Sequence, residues 1–311
     1  MDKITFGALY PLGGPGHDVA DFCQKAEELG YDGVWFTDNS RGPDCFAMMA
    51  AGAAVTRRIK LGTSVFLLPL RHPSHVARTV ATLDIISQGR IILGVGVGGE
   101  RAQDFSFFEV PVKERGRRAN EALEVMHALW KEDTVSHQGQ FFHLSEVKSH
   151  LKPVQKPHPP IWVGGRGQRE GTSAAVRRAA KYGDGFFPYL CSPEQYRAWY
   201  DQVKELARAQ GRVPATIEGA LLQGIALYPT VEQSAQVAAA SLGRSYGGDF
   251  SQSVHRYAVL GPVPNAIKRL EQYIEAGARH LVFFWCCAPE DVSANMETIA
   301  REIIPRLRRQ S

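Results

Sequence analysis

The chain has 311 residues, of which 44% are hydrophobic and 22% charged, with a net charge of +4. That length supports a large core in one domain covering 1–311, and scattered Lys and Arg without a basic stripe argue against a nucleic-acid partner. No apolar run approaches the ~20 residues of a membrane-spanning helix, and the N-terminus lacks the three-part pattern of a secretory signal.

In chain order, residues 4–9 read as a first strand. Residues 17–29 read as a helix with Val19, Phe22, Cys23, Ala26 and Leu29 on one face, ended by Gly30. A strand over 32–37, a helix over 43–55 and a strand over 59–65 follow. The next helix covers 73–86, with Pro73 in its first turn, and the fourth strand is 91–96. A long helix over 113–130 carries Ala119, Leu123, Met126 and Trp130 on one face, and 134–144 reads as a hairpin turning at Gln138-Gly139. Strands are then predicted over 160–164, 185–188, 221–228 and 278–285. Helices are predicted over 171–182, 193–210, 231–242, 263–276 and 291–308.

Eight strands alternating with helices predict parallel pairing, and most of them are apolar on both faces, as helix-covered strands are. The fold class is α/β, a closed (β/α)8 TIM barrel with insertions after strands 4 and 7. An open doubly wound sheet is the rival, and the first strand lacks the GxGxxG that such a dinucleotide fold would carry. The insertions, 97–159 and 241–262, are placed to shape a pocket at the C-terminal face. The cysteines, Cys23, Cys45, Cys191, Cys286 and Cys287, are odd in number and form no CxxC pair. They read as packed free thiols in a reducing cytoplasm.

A barrel places its chemistry where strands end. Those positions are Tyr10, then Asp38 and Asn39, then Ser64 and Val65 leading into Leu70, Arg71 and His72. Beyond them come Gly96, Gly98, Gly99, Glu100 and Gln103, then Gly164, Gly165 and Arg166, and last Trp285. The glycines let a flat ring or a phosphate approach the backbone closely. Gly164–Arg169 before a helix start suits a phosphate, and equally suits a plain turn with surface arginines. Asp38 and Glu100 are the acid–base candidates, and each also reads as an ordinary polar group. No HxH, HExxH, GxSxG or P-loop occurs, so metal and serine-nucleophile chemistry are not expected. Tyr10, Phe66 and Trp285 fit an apolar or planar substrate, and also fit a core.

Several blocks in fixed order carry a resemblance. They are Gly33-Val34-Trp35-Phe36-Thr37-Asp38, then Thr56-Arg57-Arg58-Ile59-Lys60-Leu61-Gly62-Thr63-Ser64-Val65 and Arg71-His72-Pro73. Leu83–Arg90, Leu93–Gly96, Glu114-Arg115, Leu129-Trp130, Pro159–Gly165 and Gly183–Pro188 follow. Together they resemble the bacterial luciferase-like superfamily over nearly the whole chain. The Ser64-Val65 pair and Arg71-His72-Pro73 look most like its methylenetetrahydromethanopterin reductase-like branch, which uses the deazaflavin coenzyme F-420.

The resemblance implies an oxidoreductase that passes a hydride between coenzyme F-420 and a small organic substrate, often as a homodimer. It implies a non-proline cis peptide between Ser64 and Val65, backing the deazaflavin ring. Asp38 matches an acid near that ring, and Asn39 stands where many members have His. Glu100 and Gln103 match a Gly-Glu-x-x-Asn-Glu segment, with Glu100 facing ring or substrate. Gly96, Gly164, Gly165 and Arg166 match the backbone and side chain near the cofactor. His72 reads as a structural hydrogen-bonding residue. The same superfamily holds FMN-dependent monooxygenases, and a flavin-binding protein without turnover is the third reading.

Overall fold

The computed structural model describes residues 3–11, 14, 16–40, 42–99, 102–168 and 171–309. Strand β1 is Thr5–Leu9, followed by helix α1 (Val19–Glu28), β2 (Gly33–Phe36) and α2 (Cys45–Val55). The third barrel strand is broken into β3 (Lys60–Thr63) and β4 (Phe66–Leu67), and a 3-10 turn then leads to α3 (Pro73–Ser87). Strand β5 (Ile91–Gly96) precedes α4 (Ala102–Phe107), α5 (Arg115–Lys131) and an antiparallel hairpin, β6 (Thr134–Gln138) and β7 (His143–Lys148). Next come β8 (Ile161–Gly164), α6 (Ala174–Tyr182), β9 (Gly185–Phe187), α7 (Pro193–Ala209), β10 (Glu218–Ala226) and α8 (Val231–Tyr246). The chain finishes with α9 (Val254–Tyr257), β11 (Ala258–Leu260), α10 (Val263–Glu275), β12 (His280–Trp285), α11 (Val292–Thr298), a π-helical stretch and α12 (Ile304–Arg308).

The strands close into a parallel barrel. β1 pairs with both β2 and β12, and the wall continues through β3, β5, β8, β9 and β10 back to β12. Four local readings are corrected. The seventh barrel strand runs over Glu218–Ala226 rather than 221–228. The hairpin turns between Gly139 and Phe142, whose carbonyl accepts the Gly139 N–H, and reaches Lys148. The stretch 241–262, expected as a loop, holds the last turn of α8, α9 and the extra strand β11. The final helix is interrupted by the π-helical stretch Ile299–Ile303.

The barrel interior is filled by large rings set against glycines. Trp35 and Trp162 stack at 4.8 Å between centroids. A Cβ at Gly62 would collide with the Trp35 ring, and one at Gly185 with the Trp162 ring. Alternating large and missing side chains is how a barrel core reaches close packing. The second layer lies between strands and helices, and there α3 and α5 contribute Val76, Val80, Leu123 and Met126.

Polar side chains tie strand entrances. Glu27 accepts the N–H groups of Arg57, Arg58 and Ile59 ahead of β3. Arg90, ahead of β5, donates to the carbonyls of Ile59 and Ala53. Glu121 on α5 accepts from the backbone of Gln140, Phe141 and Phe142, pinning the hairpin turn. No helix of the described residues is long and apolar enough to cross a membrane.

Candidate active site

β2 ends at Phe36, so Thr37 and Asp38 reach the C-terminal mouth of the barrel. The Ser64 N–H donates to the Phe36 carbonyl at 2.7 Å, and the Thr37 hydroxyl donates to the Ser64 carbonyl at 3.0 Å. Between these anchors and β4 the Ser64–Val65 peptide is cis, where the resemblance places it. Asp38 is buried; one carboxylate oxygen accepts the Leu67 N–H at 3.0 Å and the other faces the Arg71 guanidinium at 3.4 Å. Burial raises its carboxyl above the usual carboxylate range, Arg71 and the Leu67 N–H pull it down, and Asp44 and Asp104 push it up. The guanidinium of Arg71 lies over the Phe108 ring at 3.9 Å, and its Nη1 is buried with no hydrogen-bond partner.

Val65 projects its side chain onto the ends of β5 and β8. A Cβ at Gly96 would collide with it, and one at Gly164 would stand 2.6 Å from its Cγ1. Gly99 (φ +115°) and Gly165 (φ +145°) continue the two strands in backbone conformations suited to glycine. The Ser64 hydroxyl is buried without a partner. A buried unpaired hydroxyl normally has an acceptor or donor to meet. An unsatisfied hydroxyl beside glycine-edged strand ends fits a flat polar ring lying against this bulge.

Other expected residues are placed as follows. The Asn39 side-chain Oδ1 accepts the Gly42 N–H at 2.6 Å, bracing the β2–α2 loop. Gln103 is exposed, whereas its neighbour Asp104 is buried and accepts from the Ser40 hydroxyl. Glu100 lies outside the described residues. Arg166 is exposed and stacks over Tyr189 at 5.4 Å. The His72 ring caps α3 by accepting the Ser74 N–H at 3.3 Å.

The three aromatic residues expected at the substrate are engaged elsewhere. Phe66 is 1% exposed and stacks on Phe46 at 4.5 Å, in the strand–helix layer. Tyr10 is buried against Phe22 and its hydroxyl donates to Asp18. Trp285 is half-buried, with its indole N–H on the Leu9 carbonyl at 2.6 Å. Asp104 is a residue that the strand-end reading did not name, and Arg71 one that it named without a role. For Asp104 the signal was a carboxylate two residues into a short helix over the mouth. For Arg71 it was a cation at a fixed distance beyond the third strand.

Two concavities lie away from this mouth. One, of about 190 Å³, opens at the opposite end of the barrel, where Trp35, Trp162, Glu218 and His280 line it. The other is an open groove of about 540 Å³ between α2 and α3, edged by Phe46, Ala50 and Ile86.

Comparison with known proteins agrees with this geometry. Residues 3–281 match the family model described as luciferase-like monooxygenase, and the chain belongs to that family. It is 28% identical to an F420-dependent glucose-6-phosphate dehydrogenase of Amycolatopsis mediterranei (strain U-32), over 99% of both chains. Among solved structures it is similar to an F420-dependent secondary alcohol dehydrogenase in complex with an F420-acetone adduct. That match has a TM-score of 0.84 and 23% identity, over 97% of this chain and 98% of the other. The coenzyme F420-dependent tetrahydromethanopterin reductase of Methanopyrus kandleri superposes with a TM-score of 0.80 at 20% identity, over 98% of this chain and 99% of that one.

Proposed function

We propose that the protein is a coenzyme F-420-dependent oxidoreductase whose reaction site is the barrel mouth beside Asp38. The observation that carries this reading is the break in the third strand at Ser64 and Val65, with the unpaired buried Ser64 hydroxyl on one side and Gly96 and Gly164 fitted against Val65 on the other. The full-length likeness to proteins named as F420-dependent supports the deazaflavin over FMN.

When bound, the deazaflavin supplies a hydride donor or acceptor at its C5. Val65 and the strand ends at Gly96 and Gly164 would back its ring, and Ser64 Oγ would hydrogen-bond a ring heteroatom. The Gly164-Gly165 backbone and Arg166 would hold the charged chain that follows the ring. Asp38 would hold or release a proton on its carboxylate, since burial raises its carboxyl above the usual carboxylate range and Arg71 limits that rise. Glu100 and Gln103 are assigned beside it on the family resemblance. Arg71, stacked on Phe108, would fix the Asp38 carboxylate and help exclude water.

We also propose that 1–311 forms one domain, that the protein works in the reducing cytoplasm and that it is a homodimer. Its five cysteines are all unpaired and buried. α2 carries no charged side chain along Cys45–Val55, and its groove with α3 leaves Ile86 half exposed, a face suited to a second copy.

The test is a side-by-side fluorescence titration with coenzyme F-420 and FMN. Tight binding of the deazaflavin alone supports hydride transfer. Binding of FMN alone, with oxygen uptake on adding reduced FMN, would replace this reading by an FMN-dependent monooxygenase.

A further inference from the structure

Across the mouth from Asp38, the ends of β9, β10 and β12 carry a wall of rings. Tyr189, just after β9, stacks with Tyr246, the last residue of α8, at 5.9 Å and 24°. Tyr246 also meets Phe250 at 6.4 Å and, edge-on, Phe284 of β12 at 6.5 Å. Tyr189, Tyr246 and Phe250 are half-buried and pack against the same apolar cluster as Val65. The wall and Val65 thus belong to one apolar layer of the barrel.

The charges on this side decide what the wall receives. The loops after β9 (188–192), β10 (227–230) and β12 (286–291) contain no Lys or Arg. Their charged residues are Glu290 and Asp291, and Asp291 already accepts the Tyr228 hydroxyl at 2.6 Å. Arg166 is stacked on Tyr189 from the β8 side. Arg244 is exposed two residues before Tyr246, so it points to another side of α8. Arg256 is exposed over Tyr257 at 5.9 Å. At the starts of α7 and α8 the Ser192 and Thr230 side chains accept the N–H groups of Gln195 and Gln233, so one first-turn donor of each helix is already engaged. A phosphate dianion needs several charge-assisted donors, and among the described residues these three loops supply no Lys or Arg, with Arg166 set against Tyr189 from outside them.

We propose that the substrate is an uncharged, flat and largely hydrocarbon molecule, an aromatic or polycyclic compound, held by Tyr189, Tyr246 and Phe250, with the buried Phe284 backing Tyr246. The proposal rests on reading the barrel mouth as the reaction site. It separates this chain from its relatives, whose names specify a sugar phosphate.

The test is isothermal titration of the full chain with 2-naphthol and with glucose 6-phosphate, without cofactor and after adding coenzyme F-420. Expected are saturable binding of 2-naphthol, none of glucose 6-phosphate, and affinity weakened at least tenfold in Tyr246→Ala. Tyr246→Phe should stay within twofold of the parent. Phe250→Ser, outside any helix or strand, gives the same readout should Tyr246→Ala fail to fold. Saturable glucose 6-phosphate binding would overturn the proposal, as would 2-naphthol binding unchanged in both ring deletions. Intact 2-naphthol binding by a protein that ignores coenzyme F-420 would support this inference while removing the deazaflavin assignment.

Discussion

Val65 occupies the space that side chains on its two neighbours would need: a Cβ on Gly164 would lie 2.6 Å from its Cγ1, and one on Gly96 would collide outright. The two glycines and the valine are one fitted unit. Gly164→Ala should therefore push the bulge out of place, cost about 1–3 kcal/mol of stability as overpacking does, and weaken coenzyme F-420 binding at least tenfold. Val65→Ala with Gly164→Ala should recover much of the stability. Denaturant melts and a fluorescence titration of the single and double variants check this.

Arg71 holds down a carboxyl that burial raises. Arg71→Met should move the Asp38 pKa upward, read by carbon NMR of the aspartate carboxyl and by the acid limb of the rate profile. A raised folded pKa means Asp38 stabilises the fold only at low pH and loses that contribution as pH rises through the folded value. Replacing it by Asn should thus be least harmful to stability at neutral pH, and relatively costlier in acid. A melting-temperature series across pH measures the trend.

Glu121 shows the opposite sign. Burial alone would raise its carboxyl, but the N–H groups of Phe141, Phe142 and Gln140, with His137, leave it lowered. Its contribution is present above the unfolded pKa and disappears as pH falls through the folded one. Glu121→Gln should cost about 1–3 kcal/mol at pH 7, and the gap to the parent should close toward pH 3. Urea unfolding at both pH values reads it.

Two histidines set a further acid limit. Burial depresses His127 to about 3 and His280 to about 4, so each stays neutral in the fold while the unfolded chain takes up its proton. Stability should fall as pH drops below ~6.5, the unfolded histidine value. His127 stacks on His158 at 4.6 Å. His127→Phe keeps a ring there and should flatten that decline, seen as a smaller loss of melting temperature between pH 7 and pH 5.

The groove between α2 and α3 gives a direct test of the proposed homodimer. Ala50→Arg on its edge should convert dimers to monomers in light scattering, with little change in the far-ultraviolet circular dichroism spectrum.

The barrel was legible because its signals are local and repeated. Each strand is a short apolar run, each helix an amphipathic one, and Gly30, Pro73 and Ser192 mark their ends. The motif blocks also have physical causes: at the strand entrances Arg90 donates to the Thr56 hydroxyl and to the Ile59 carbonyl. What the sequence hid depends on partners far along the chain. Phe66 sits at a strand end like a substrate contact, yet Phe46 on α2 draws it into the core. Gln103 is assigned from its match to a motif, which carries no information on helix face; the Ser40 hydroxyl, donating to Asp104, shows that its neighbour turns inward. Strand β11 is only Ala258–Leu260, too short to give a period of its own, and exists because β10 offers it an edge.

That edge sets the two insertions apart. β9 pairs with β10 only at Glu218 and Gly219, and β11 takes up the same side of β10 at Gly224 to Ala226. The later insertion is thus a plank of the wall itself, whereas β6 and β7 pair only with each other. A chimera can exchange the hairpin as a cassette. Excising 247–262 would leave an unzipped seam in the barrel, open to the next molecule's backbone.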